Sequence, residues 1–267
     1  MSASAALAAA AGGGPYFALE QWAADAPWRP LRVLIGDPAL LRERVDHARV
    51  VIAGQAGITP GQVQERVAAS IVFGGLAARL VSPSLGAAVV GGVAPRLTVA
   101  DLWWRPVDAG PVPLAVTPVD GAGVGELATA LQLDAAAAVL SECCVQGLAR
   151  PAVSAFGAAF RLSPQVLWGN VASALAGAAA MLGELFPGRG EAAGRLTARI
   201  LARGPLRGTG ELARPDPTQP RRFLVRRSCC LLYRVPGAGM CGDCVLLPED
   251  ARRRQWHAAL SRTPTEC

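Results

Sequence analysis

Long apolar runs broken by Pro and Gly dominate the chain, and their spacing predicts a mainly helical body. Asp37-Pro38 reads as an N-cap followed by proline at the first helical position, opening a helix to about Ile52. Thr59-Pro60 repeats that signature, with Gln64 and Glu65 in the first turns. Its helix is expected to run to about Leu80 and to break at Ser82-Pro83-Ser84, with an Ala/Val-rich helical piece following to about Gly92. Between Arg96 and Val116 the pattern shortens, and Leu97 to Trp104 and Val112 to Val116 predict two short strands around a Pro/Gly turn. Helices are expected again at about 124–132, 134–149, 151–161, 164–184 and 190–203.

The division that follows is a disordered Ala/Gly-rich terminus over 1–14, a mainly helical domain over 15–220 and a cysteine-bearing segment over 221–260. Residues 204–220 read as a Gly/Pro-rich linker. Arg222 to Ser228 then read as an edge strand, and a short helix is expected from Pro248 to about Ser261. The fold class is predominantly α (α+β), a helical body with a small β element and a C-terminal metal segment.

Composition changes this picture in one respect. The chain of 267 residues contains no lysine, which is what a GC-rich coding bias would produce, and its charge is uneven. Residues 189–267 carry fifteen arginines against seven acidic residues, a net +8, while the remainder carries about −2. This is either a solvated arginine-rich surface or a landing face for an acidic electron-donor protein such as a ferredoxin, or for an anionic metal chelate. No aromatic-interleaved basic stripe accompanies it, so nucleic acid is not an expected partner. The first fourteen residues lack a basic signal-peptide start. No stretch reaches about 18 uninterrupted apolar residues: the run from Val67 meets Arg79, and that from Val171 ends at Glu184. The expectation is a cytoplasmic protein without a transmembrane segment, compatible with peripheral membrane association.

Four cysteines carry the chemistry. Cys229, Cys230, Cys241 and Cys244 have the spacing C-C-x10-C-x2-C, close enough to meet at one metal centre without help from distant parts of the chain. In a reducing compartment such a group binds metal rather than forming disulfides. A [2Fe–2S] cluster takes two protein ligands on each iron, usually thiolates. Gly242 eases the turn between Cys241 and Cys244, and the Val-Pro-Gly-Ala-Gly segment supplies a return loop. The vicinal pair needs a bend, because neighbours on an extended strand point to opposite faces. Backbone N–H groups and arginine charge near the sulfurs would raise the reduction potential. Structural zinc is the first alternative, but it favours two C-x2–4-C knuckles and one is missing here. A thioredoxin-like C-x-x-C lacks its βαβ setting. A Rieske-type site would need His47 and His257, neither of which sits near a cysteine in the required pattern.

Beside these, the sequence resembles the ferric-siderophore reductases of the FhuF type, which carry a C-terminal C-C-x10-C-x2-C motif. Arg79-Leu-Val-Ser-Pro-Ser-Leu85, Leu167-Trp-Gly-Asn170 and Arg226-Arg-Ser-Cys-Cys-Leu-Leu-Tyr233 resemble further segments of that family. The resemblance implies that Cys229, Cys230, Cys241 and Cys244 hold a [2Fe–2S] cluster. It also implies one-electron reduction of a cytoplasmic ferric siderophore, with release of Fe(II). A non-catalytic electron carrier or an iron or redox sensor is the alternative. The absence of a G-x-G-x-x-G fingerprint, Gly121 to Gly125 included, implies that electrons come from another protein or a diffusible reductant. Cys143-Cys144 read as core residues, since adjacent helical positions do not share a face. Cys267 reads as a free thiol. Trp103, Trp104 and Trp168 read first as packing anchors and second as chelate contacts.

Overall fold

The computed structural model describes residues 1–261. Helix α1 (Ala3–Ala11) leads through strands β1 (Glu20–Gln21) and β2 (Arg29–Pro30) to α2 (Leu31–Gly36), α3 (Pro38–Ala56) and α4 (Glu65–Gly91). Strands β3 (Val93–Pro95), β4 (Leu102–Trp104), β5 (Leu114–Val116) and β6 (Gly121–Gly123) follow. Then come α5 (Ala130–Leu140), a π-helical turn at Ser141–Ala149, α6 (Arg150–Phe160), α7 (Pro164–Leu185) and α8 (Gly190–Leu201). The pair β7 (Gly210–Ala213) and β8 (Phe223–Arg226) and a last helix α9 (Glu249–Leu260) complete the described chain. It is predominantly α with a small β element, as expected.

Helices α4 and α7 run against each other at the centre, with α1 and α3 on α4 and α8 on α7. Both central helices are long and apolar enough, by length and composition alone, to cross a membrane. In α4 72% and in α7 61% of the apolar window is buried inside the protein. Their apolar character is therefore spent on each other and on their neighbours, which the count of charged interruptions at Arg79 and Glu184 did not anticipate. The larger sheet has the order β1-β5-β4-β2, with β1 parallel to β5 and the other pairs antiparallel. A second pair joins β3 to β6.

The N-cap read at Asp37 is in place. Asp37 Oδ1 accepts from the Ala39 N–H at 2.8 Å, and Gly57 closes α3 in the left-handed conformation that a glycine allows. At Thr59 the Gln62 Oε1 accepts from the Thr59 N–H at 2.9 Å, but the turn so capped is a short 3₁₀ segment and α4 begins at Glu65.

Four expectations need correction. Residues 1–14 are not a disordered tail: α1 buries Ala3, Ala6, Leu7 and Ala10 against α4. Their small side chains fit where Gly86 and Gly91 leave room, since a Cβ on Gly91 would stand 2.6 Å from the Ala6 Cβ. Second, Ser82-Pro83-Ser84 does not end a helix, because α4 passes straight through it. Proline in a helix interior costs about 3 kcal/mol, and here the residues around it are wholly buried, so packing outweighs that cost. Third, the helix expected from 124 starts at Ala130. Thr129 Oγ1 accepts from the Gln132 N–H at 3.2 Å and Gln132 Oε1 from the Thr129 N–H at 3.0 Å, a reciprocal cap that fixes the start. Fourth, the linker over 204–220 contains β7, which pairs with β8. Cys267 lies outside the described residues.

Arg79, 2% exposed, stands in the middle of α4. Its guanidinium donates to the carbonyls of Val112 and Ala18, both at 2.8 Å, and to that of Pro15. Burial pushes its pKa down to about 10, so it remains charged at neutral pH. The arginine of the R-L-x-S-P-x-L segment is thus a structural clamp between α4, the N-terminal loop and the segment before β5.

Candidate iron–sulfur centre

The four cysteines lie on one loop that leaves β8 and returns to its side. Strand β8 is half-buried and alternates, with Leu224 and Arg226 inward. An arginine at an inward position demands partners, and Arg226 has them. Its Nη2 donates to Asn170 Oδ1 at 2.8 Å, its Nη1 to Ser173 Oγ at 3.1 Å and its Nε to the Ser228 carbonyl at 3.1 Å. Asn170 Nδ2 in turn donates to the carbonyl and hydroxyl oxygens of Ser70, at 3.0 and 3.1 Å. Ser70 Oγ donates to the Cys230 carbonyl at 2.8 Å. A chain of buried hydrogen bonds therefore runs from α4 through α7 to β8 and back to the backbone of a cysteine.

Gly169 makes that approach feasible. A Cβ there would lie 2.2 Å from Ser228 Oγ and 2.8 Å from Arg226 Nη2. Ser228 Oγ instead reaches over α7 to donate to the Gln165 carbonyl at 2.8 Å. In Leu167-Trp-Gly-Asn170, then, glycine admits the cysteine loop and asparagine fastens it. Trp168 is a packing residue with the Arg150 guanidinium 5.8 Å from its ring centre.

The bend required by the vicinal pair is present. Leu231 adopts the left-handed region at φ 69°, which a residue with a Cβ seldom enters. Its N–H donates to Cys229 Sγ at 3.3 Å. Gly237 and Gly239, at φ 79° and 68°, turn the loop back. The Cys244 N–H donates to the Cys241 carbonyl at 3.1 Å, closing the turn between the last two cysteines.

Cys230 and Cys241 are brought together, with Sγ atoms 3.4 Å apart. A disulfide needs about 2.05 Å, so these are separate thiols. At a metal–sulfur bond of about 2.3 Å, two thiolates on one tetrahedral metal stand roughly 3.8 Å apart, close to the observed spacing. The hydrogen bond between the two thiols pulls Cys230 down to about 6 and holds Cys241 up. The pair gives up its first proton easily and its second with difficulty. Cys229, Cys230 and Cys241 are partly exposed and Cys244 is buried. Among the described residues no three His, Cys, Asp or Glu side chains are gathered as a single metal ion would require. A two-iron cluster takes two ligands on each iron; Cys230 and Cys241 stand close together, with Cys229 and Cys244 on the same loop.

An all-thiol donor set with a backbone N–H directed at the Cys229 sulfur suits an iron–sulfur cluster. Residues 226–246 match the family model for the FhuF 2Fe-2S C-terminal domain, and the four cysteines fit its motif. The cofactor is a [2Fe–2S] cluster. No curated protein matches the chain.

The remaining candidates fall away from this centre. Cys143 and Cys144 are buried on the π-helical turn, and burial raises both thiols, Cys144 to about 12. Trp103 packs against Trp22 with centroids 5.0 Å apart and the rings tilted by 32°, and Trp104 is fully buried on β4. Trp256, beside His257 on α9, stacks on Phe223 at 5.4 Å and so braces β8. Ser70 and Ser173 were not singled out from sequence. Their only signal there is a hydroxyl inside an otherwise apolar helical run.

Proposed function

We propose that this protein is a cytoplasmic ferric-siderophore reductase whose [2Fe–2S] cluster is held by Cys229, Cys230, Cys241 and Cys244. The observation that carries the reading is the FhuF-type match over the four-cysteine segment, in a loop where Cys229, Cys230 and Cys241 remain partly open to solvent. When bound, the cluster supplies one electron at a time. The substrate iron takes up that electron and passes from Fe(III) to Fe(II), which hydroxamate or catecholate oxygens hold weakly, so the chelate releases it.

The chain's own residues bind and orient. The thiolates bind, the Leu231 N–H stabilises negative charge on the Cys229 sulfur, and the Arg226 charge favours an added electron nearby. Asn170 and Ser70 fix the loop to the two central helices. No nucleophile or acid–base pair is needed. An acidic, ferredoxin-like donor suits the arginine-rich C-terminal third.

The test is to reduce the purified protein under anaerobic conditions and add ferric siderophore in the presence of a coloured Fe(II) chelator. The reduced EPR signal should vanish as Fe(II) complex forms. A reduced cluster that no ferric chelate oxidises would leave a non-catalytic carrier or sensor.

A further inference from the structure

Helix α9 is rich in charged residues, and of its twelve residues only Trp256 is buried. Such a helix has no apolar stripe to hold it in place. A cavity of about 490 Å³ lies between Gly242 and Asp243 of the cysteine loop and Gln255 and Trp256 of α9. Another of about 380 Å³ lies between Ala259 and Leu260, at the end of α9, and Ala176, Ala180 and Gly183 of α7. The helix therefore stands off the body, and its hold falls on particular side chains.

Two of them reach the segment that carries the cysteines. Arg252 Nη2 donates to the Leu247 carbonyl at 3.0 Å and to the Cys244 carbonyl at 3.3 Å. The Cys244 carbonyl also accepts from the Leu247 N–H at 3.3 Å, so one guanidinium ties both ends of the turn over 244–247. Pro248 closes that turn and opens α9, which brings the arginine back over the segment it came from. Trp256 lies four residues on, on the same helix face as Arg252. It stacks on Phe223 with ring centroids 5.4 Å apart. Phe223 opens β8, the strand that leads to Cys229. Beneath this arrangement Cys244 is the buried member of the four cysteines, 3% exposed.

We propose that α9 is a strap over the cluster site and that Arg252 is a positioning residue for Cys244. With Trp256 keeping the helix down, Arg252 fixes the peptide that follows Cys244 and so sets how that thiolate is presented to iron. It also keeps a positive charge at the backbone of this one cysteine. Groups that hold the ligands and hydrogen bonds around them tune both the affinity and the potential of a metal centre. The inference rests on the four-cysteine cluster assignment and adds to it a residue outside the matched segment 226–246.

The test compares Arg252→Gln, Arg252→Lys, Trp256→Ala and Arg254→Gln with wild type, each loaded with its cluster. Arg254 is the control: it is on the same helix but pairs with Asp250 at 2.8 Å on the exposed side. Arg252→Gln should shift the EPR g values of the reduced cluster and its reduction potential, and should lose iron to excess EDTA about tenfold faster. Lysine, which keeps the charge and a donor, should restore the EPR spectrum and most of the retention. Trp256→Ala should lose iron as fast as Arg252→Gln, and Arg254→Gln should match wild type. An Arg252→Gln protein with wild-type spectrum, potential and iron retention, or one changed in melting temperature alone, overturns the positioning role. So does an Arg254→Gln protein altered as much. If glutamine prevents loading, a lysine variant with the wild-type spectrum supports the role and one that also stays empty overturns it. Wild type without iron removes the cluster assignment itself, whereas a normal wild-type cluster indifferent to Arg252 overturns the strap alone.

Discussion

Replacing Arg226 by glutamine is expected to lower the reduction potential of the cluster without removing the cluster. The guanidinium is 3% exposed and lies close enough to Cys230 and Cys241 to act on both thiols electrostatically. A positive charge stabilises the reduced state more than the oxidised one, because reduction adds a negative charge. At an effective dielectric of about 20, two unit charges at 4 Å interact by about 4 kcal/mol, falling inversely with distance. A charge held one shell behind the sulfurs is then worth on the order of 1–3 kcal/mol, or roughly 40–130 mV for a one-electron couple. Glutamine also forfeits donors to Asn170, Ser173 and the Ser228 carbonyl, and breaking such a buried charged network costs about 3–5 kcal/mol of stability. The assay is an EPR-monitored redox titration of wild type, Arg226→Gln and Arg226→Lys, with thermal melts alongside. Lysine keeps the charge and should recover most of the potential while still melting early. If glutamine leaves the potential unchanged with the cluster intact, or if lysine falls as far as glutamine, the electrostatic reasoning is wrong.

Other outcomes follow from the same contacts. Gly169→Ala should lower the melting temperature by several degrees and reduce cluster occupancy, since the new Cβ would collide with Ser228 Oγ and Arg226 Nη2; an unchanged melt would show that the loop does not depend on this approach. Arg79→Leu should destabilise by about 3–5 kcal/mol in denaturant titrations, because three buried carbonyls lose their donor. With Cys144 raised to about 12, its thiolate is scarce at pH 8, so iodoacetamide should leave it unlabelled in the native protein and label it after unfolding. Electron transfer from an acidic ferredoxin should slow several-fold between low and physiological salt, whereas transfer from dithionite should change little; equal salt dependence would exclude steering by the arginine-rich end.

The helical body was readable because caps and apolar runs are local signals. Asp37-Pro38 and Ser163-Pro164 start helices where the sequence placed them. Pro83 misled because its cost is local while the burial that overrides it comes from α1 and α7, which are distant in sequence. The alanine-rich start misled for the same reason: nothing within residues 1–14 says that Gly86 and Gly91 will receive them. At the site, the cysteine spacing identified the candidate ligands and the need for a bend. It did not reveal Leu231 as the residue that bends, nor the relay from Arg226 through Asn170 and Ser70. Those contacts span more than 50 residues, and a lone hydroxyl or amide within an apolar helix does not say what it will meet.

The most direct test of the central claim is the iron and acid-labile sulfide content, with visible and EPR spectra, of wild type beside single serine variants at Cys229, Cys230, Cys241 and Cys244. Wild type should contain iron and sulfide in equal amounts and show a [2Fe–2S] signal on reduction. Each of the four variants should lose or distort that signal, while Cys143→Ser keeps it. A normal cluster retained in Cys244→Ser would contradict the assignment.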